Sequence, residues 1–128
     1  MRLNQVTVTV ANIESATTFY QSLGLKLIVK SPHYARFMCP EGESTFSIHL
    51  GDTPVTASTV VYFENKNLDQ WVKDLQAAGM VFDSEPADQR WLWREARLRD
   101  PSGNPICLFD AGENRLNPPW RLAETESP

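Results

Sequence analysis

The chain has 128 residues, 41% hydrophobic and 22% charged, which suits one self-sufficient core and is too short for two ordinary domains. A net charge of −4, with no run of lysine and arginine, excludes the basic field that a nucleic-acid partner requires. No stretch approaches the roughly 18 apolar residues of a membrane helix, the start Met1-Arg2-Leu3-Asn4-Gln5 lacks a signal-peptide core, and Cys39 and Cys107 form no CxxC pair, so a cytoplasmic protein with two reduced thiols is expected.

The first predicted element is an alternating strand, with Val6, Val8 and Val10 on one face and Thr7 and Thr9 on the other. Asn12 stands as an N-cap, and Ile13, Ala16, Tyr20 and Leu23 then fall on one stripe of a three-turn helix that Gly24 closes. A strand over Leu25 to Val29 follows, and His33 lies in the loop after it. Tyr34 to Cys39 and Thr45 to Leu50 then read as a hairpin around Pro40-Glu41-Gly42.

The same order returns further along. Val6 to Leu27 lies without a gap on Val61 to Phe82, 55 residues on. The second strand carries Val61 and Phe63 on one face, Tyr62 and Glu64 on the other; Asn67 is the cap, Leu68, Trp71, Leu75 and Ala78 the stripe, and Gly79 the stop. Met80 to Phe82 is the next strand, and Trp91 to Arg99 pairs with Pro105 to Phe109 through Asp100-Pro101-Ser102-Gly103. This repeat predicts an α+β fold of two tandem βαβββ modules, about 1–55 and 56–112, within a single domain spanning 1–128. Residues 113–128 read as a proline-bearing arm with Trp120 as its anchor and a frayed end.

Phe19-Tyr20, Leu23-Gly24-Leu25 and Leu98-Arg99-Asp100-Pro101-Ser102-Gly103-Asn104-Pro105, placed in two such modules, resemble the vicinal oxygen chelate superfamily of glyoxalases, bleomycin-resistance proteins and extradiol dioxygenases. The resemblance implies a cup-shaped mixed sheet with helices outside, a small molecule in the cup, and a homodimer. It further implies four metal-ligand positions, which fall here on Gln5, His49, Val60 and Cys107. Valine cannot coordinate, and Cys107 stands where a carboxylate is usual, so the metal site reads as a remnant and no cofactor is expected; a divalent metal is the less favoured alternative.

Strand alternation turns Val6, Val8, Phe46, Ile48, Val61, Phe63, Leu98, Ile106 and Leu108 toward the helices. Gln5, Thr7, Ser47, His49, Val60, Tyr62, Glu64, Glu95, Arg97 and Cys107 then face the cup, joined by Trp91 and Trp93 if the strand register holds that far. Gln5, Thr7, His49, Tyr62, Trp91, Trp93, Arg97 and Cys107 are the candidate ligand contacts. Each also has a plainer reading: a hydrogen-bonded structural histidine, two core or dimer-contact tryptophans, an Arg97–Glu95 ion pair and an inert buried thiol.

Two functions follow. The first is a small-molecule-binding protein with a degenerate metal site. The second is an enzyme: either a metal-dependent lyase, isomerase or dioxygenase using Gln5, His49 and an unconventional ligand such as Glu64, or an acid/base catalyst built on His49 and Glu95.

Overall fold

The computed structural model describes residues 2–52 and 59–123; the expected module boundary near residue 55 and the expected frayed end lie outside them. The elements run β1 (Gln5–Val10), α1 (Ile13–Leu23), β2 (Lys26–Ser31), β3 (Tyr34–Met38), β4 (Thr45–Leu50), β5 (Val61–Glu64), α2 (Leu68–Ala77), β6 (Phe82–Asp88), β7 (Arg94–Arg99) and β8 (Pro105–Asp110). Two βαβββ modules result, each with one helix and one mixed four-stranded sheet, ordered β1-β4-β3-β2 and β5-β8-β7-β6. In both, the first and last strands of the module pair in parallel, and the hairpin strands pair antiparallel.

The helix ends obey the repeat closely. Leu25 N–H donates to Tyr20 O and Met80 N–H to Leu75 O, each at 3.0 Å, while Gly24 and Gly79 adopt φ of +123° and +99°. Both ends are therefore the same left-handed cap, which satisfies carbonyls the last turn would leave bare. The helix starts differ. Asn12 Oδ1 accepts from Ser15 N–H at 2.9 Å, as expected, but Asn67 makes no side-chain cap bond. Its own N–H donates instead to Asn65 Oδ1, an Asx turn that enters the helix by another route.

Two strands depart from expectation. The strand predicted over Met80 to Phe82 begins only at Phe82, because Met80 is occupied in closing α2, and it runs to Asp88. It tolerates Pro86 because β6 is an edge strand with two register shifts. The strand predicted from Trp91 begins at Arg94: Gln89, Leu92 and Trp93 close a turn through Leu92 N–H to Gln89 O and Gln89 N–H to Trp93 O, with Leu92 at φ +69°.

The helix sides of both sheets feed one apolar core. Tyr20, Phe37, Ile48, Leu98, Ile106 and Leu108 lose essentially all contact with solvent, each stabilising the fold by about 1.5–3 kcal/mol. The stripe on α2 is Leu68, Val72 and Leu75 with Trp71 half-buried beside them, and Ala78 is exposed at the cap. Across the modules, the rings of Phe46 and Phe63 meet at 5.7 Å, and Trp71 Nε1–H donates to Leu23 O.

A second joint is polar. The buried Asp100 carboxylate accepts from Tyr20 O–H at 2.8 Å, from Asn104 Nδ2–H at 2.7 Å, and from the backbone N–H groups of Ser102 and Asn104. Asn104 also donates to Thr9 O, and Ser102 Oγ accepts from Ala11 N–H. The Asp-Pro-Ser-Gly-Asn turn thus clasps the second module onto the first.

Candidate ligand-binding site

Alternation along the strands puts Gln5, Thr7, Ser47 and His49 on one face of the first sheet and Tyr62, Glu64, Glu95, Arg97 and Cys107 on one face of the second, whereas Val60, Trp91 and Trp93 lie outside the strands; the two faces differ in chemistry. On the second module the face is largely aromatic. Trp93 stacks on Phe109 with centroids 4.6 Å apart, and Tyr62 meets both rings edge-on at 6.1 and 5.8 Å. Cys107, Phe109 and Ala111 are buried there, with Val60 and Trp93 packed against them. Trp93 Nε1–H donates to Asn114 O, so this indole is held between its stack and the turn after β8. Tyr62 remains 46% exposed.

Glu95 and Arg97 stand two residues apart on β7, hence on the same face. The Glu95 carboxylate is only 4% exposed, a costly place for a charge unless it is fully partnered. One oxygen accepts from Arg97 at 2.9 Å and the other from Trp91 Nε1–H at 2.7 Å. Burial works against the Arg97 charge, but the Glu95 hydrogen bond and charge outweigh it and keep the guanidinium protonated. Arg97 also lies over the Tyr62 ring at 5.7 Å. Cys107 is pushed up to about 12 by burial and then by Glu95, so near neutral pH it is a thiol.

Trp91 lies outside the strand, in the turn, and reaches the face only because its indole is tied to Glu95. Phe109 was not among the sequence candidates. Alternation from Cys107 would have placed it, but the unbroken apolar run Ile106 to Phe109 conceals which side chains belong to which face.

On the first module the face is polar. Gln5 Oε1 accepts from Thr45 O–H at 2.7 Å, and the hydroxyls of Thr7 and Ser47 share a 2.5 Å hydrogen bond. His49 is exposed and makes no side-chain hydrogen bond or ion pair among the described residues. Gln5 pairs with Thr45 and His49 with Thr9, so Gln5 and His49 stand four ladder positions apart, roughly 13 Å along the strands. Side chains rising perpendicular to a sheet cannot both reach one ion across that distance. No hydrogen bond, ion pair or ring contact joins Gln5 or His49 to Val60, Glu95 or Cys107 among the described residues. Glu64 is engaged elsewhere, accepting from Ala111 N–H and pairing with Arg115.

A cleft of about 890 Å³ opens between the modules, with Val6, Phe46, Val61, Phe63 and Trp71 among its apolar walls. Its walls are the apolar surfaces that bind the modules together. Tyr62, Glu64, Lys66 and Asp110 also line the cleft, while the Glu95–Arg97–Trp91 group is not part of its lining.

The sequence profile of the Glyoxalase/Bleomycin resistance protein/Dioxygenase superfamily matches residues 2–108. The chain belongs to this superfamily. A glyoxalase/bleomycin resistance protein/dioxygenase from Nocardioides shares the fold with a TM-score of 0.77 at 21% identity, over 96% of this chain and 90% of that one. Lactoylglutathione lyase from Agrobacterium tumefaciens superimposes at 0.72 with 15% identity, over 85% of this chain and 92% of its own. A bleomycin-binding protein complexed with bleomycin superimposes at 0.70, also with 15% identity, over 86% and 98%. A comparison with the curated proteins finds no match.

The metal used by many glyoxalase-type members does not fit the side chains here. Val60 has no donor, Cys107 is a buried neutral thiol, Gln5 and His49 are too far apart, and no three His, Cys, Asp or Glu side chains converge among the described residues. A divalent ion held by an open site needs about three donors with some negative charge.

Proposed function

We propose that this member of the superfamily binds a small, partly aromatic molecule on the helix-free face of its second module, without a metal. The observation that carries the reading is Arg97: a guanidinium fixed by a buried carboxylate, lying over an exposed tyrosine, with Trp91 pinned by the same carboxylate. An anchored cation beside exposed ring faces gives a planar ligand both burial and orientation. The bleomycin-binding protein complexed with bleomycin, which has the same fold, supports a small-molecule ligand. In this role Glu95 positions Arg97, because both of its oxygens are already occupied.

The experiment is native mass spectrometry of the protein purified from its own host, followed by titration of the released ligand with tryptophan fluorescence as readout. Wild type carries a bound mass, and Trp91→Ala and Arg97→Ala each weaken rebinding by about 1–3 kcal/mol. A Val61→Phe change, which narrows the cleft between the modules, leaves affinity unchanged. Rebinding that resists both face variants and fails in Val61→Phe would move the site to the cleft. Stoichiometric nickel, zinc, iron or manganese that His49→Ala removes would restore the enzyme reading.

A further inference from the structure

The first module's helix-free face carries a cation whose partner is missing. A row crosses the sheet in register, from Thr7 on β1 to Ser47 on β4 to Arg36 on β3, and the next row holds Thr9, His49 and Tyr34. Arg36 is half-buried, and its Nε–H donates to the Tyr34 phenol oxygen at 2.9 Å, with the guanidinium 5.5 Å from that ring's centroid. Arg2, Arg94, Arg97, Arg99 and Arg115 each have a carboxylate partner; among the described residues the exposed Arg90 and the half-buried Arg36 have none, and only for Arg36 does burial make that lack costly. Its two terminal nitrogens are left without an acceptor.

Partial burial of a guanidinium costs hydration, and proteins normally offset that with a carboxylate. Here the side chain is instead steadied by a phenol, which fixes the plane of the fork and leaves its two-donor edge free. That edge matches the spacing of two oxygens on one carboxylate or phosphate. His49 stands opposite Tyr34 in the ladder, exposed and equally unpartnered, and the Thr7–Ser47 hydroxyl pair lies on the other flank. The Tyr34 phenol is held below its ordinary range by hydrogen bonds from Ser47 and then Arg36, in keeping with a locus that favours negative charge.

The geometry points to an oxyanion-binding site on the first module, in which Arg36 grips the carboxylate or phosphate group of a small molecule, Tyr34 positions the guanidinium and His49 supplies a further donor. The site rests on the small-molecule reading above only for the size of its ligand. It lies on the other module from Arg97, so the two can be tested separately.

The test is a ¹H–¹⁵N NMR titration of the full chain at constant ionic strength with inorganic phosphate and, separately, acetate. The expected result is saturable shifts at the amides of Tyr34, Arg36 and His49 and at Arg36 Nε. In Arg36→Gln the apparent dissociation constant rises at least about tenfold; Arg36→Lys, which keeps the charge without the fork, falls between; Arg97→Gln is unchanged. Saturation by phosphate alone assigns a phosphate ester, and saturation by acetate as well assigns a carboxylate. Shifts that fail to saturate with either anion, or that persist undiminished in a folded Arg36→Gln or Arg36→Lys, overturn the site. Loss of the host ligand in Arg97→Ala with these shifts intact bears only on the second-module reading, and the reverse outcome only on this one.

Discussion

Tyr20 sits at the crossing of packing and polarity. Its ring touches Phe46 at 4.5 Å and Phe19 at 5.0 Å, while its hydroxyl reaches across the modules to Asp100. Burial, and then the Asp100 charge, hold the phenol far above its ordinary range, so the folded protein keeps a proton that the unfolded chain releases near pH 10. The unfolded state therefore binds fewer protons above that pH, and stability falls as pH rises, by up to about 1.4 kcal/mol per unit. Cys107 adds a second proton of the same sign between about 9 and about 12. Denaturant unfolding from pH 7 to 11 checks this. Tyr20→Phe should lose about 1 kcal/mol at pH 7 yet decline less steeply above pH 10, while Cys107 keeps the earlier part of the slope. A slope unaltered by Tyr20→Phe would mean that the phenol ionises in the folded state.

At the level of elements, the two helices share their ends and differ at their beginnings. Asn12 caps α1 through its side chain and Asn67 does not cap α2, although they are equivalent in the repeat. Asn12→Ala is accordingly expected to cost about 1 kcal/mol, and Asn67→Ala no more than a few tenths, in thermal unfolding. Equal losses would show that the caps are interchangeable. The strands teach a related point. Period-two alternation located β1 and β4 well because their two faces differ in polarity. It overextended β7 because Trp91 and Trp93 kept the alternation going through residues that in fact form a turn, one that only backbone bonding and the φ of Leu92 disclose.

For the whole molecule, the helix sides of the sheets are consumed in one shared core, and each opposite face stands uncovered by any helix. On the arm, Leu116, Trp120 and Leu122 are 62%, 57% and 87% exposed. Trp71, placed on the α2 stripe, is half-buried against the core and bonded to Leu23 O. The exposed apolar arm carries the expectation of a homodimer, in which a second copy would cover the arm and leave the helix-free faces open. Light scattering at tens of micromolar should give twice the 14.5 kDa chain mass, and Trp120→Ser should shift the equilibrium toward monomer. A wild-type monomer at those concentrations would refute the dimer.

Among the described residues no helix is long and apolar enough to cross a membrane. The sequence by itself determined the duplicated βαβββ order, the helix stops, the core face of most strands and the superfamily, since all four are written in local periodicity and in glycine positions that repeat 55 residues apart. What only the tertiary structure decided depends on distances between elements remote in sequence. It made the Asp100 turn a clasp on Tyr20, set Gln5 and His49 four ladder positions apart, bound Glu95 to both Trp91 and Arg97, and left Arg36 without a carboxylate. Alternation reports which face a side chain takes, but strand register and inter-module packing fix what it meets there, and those arise from the summed fit of the core rather than from any one segment.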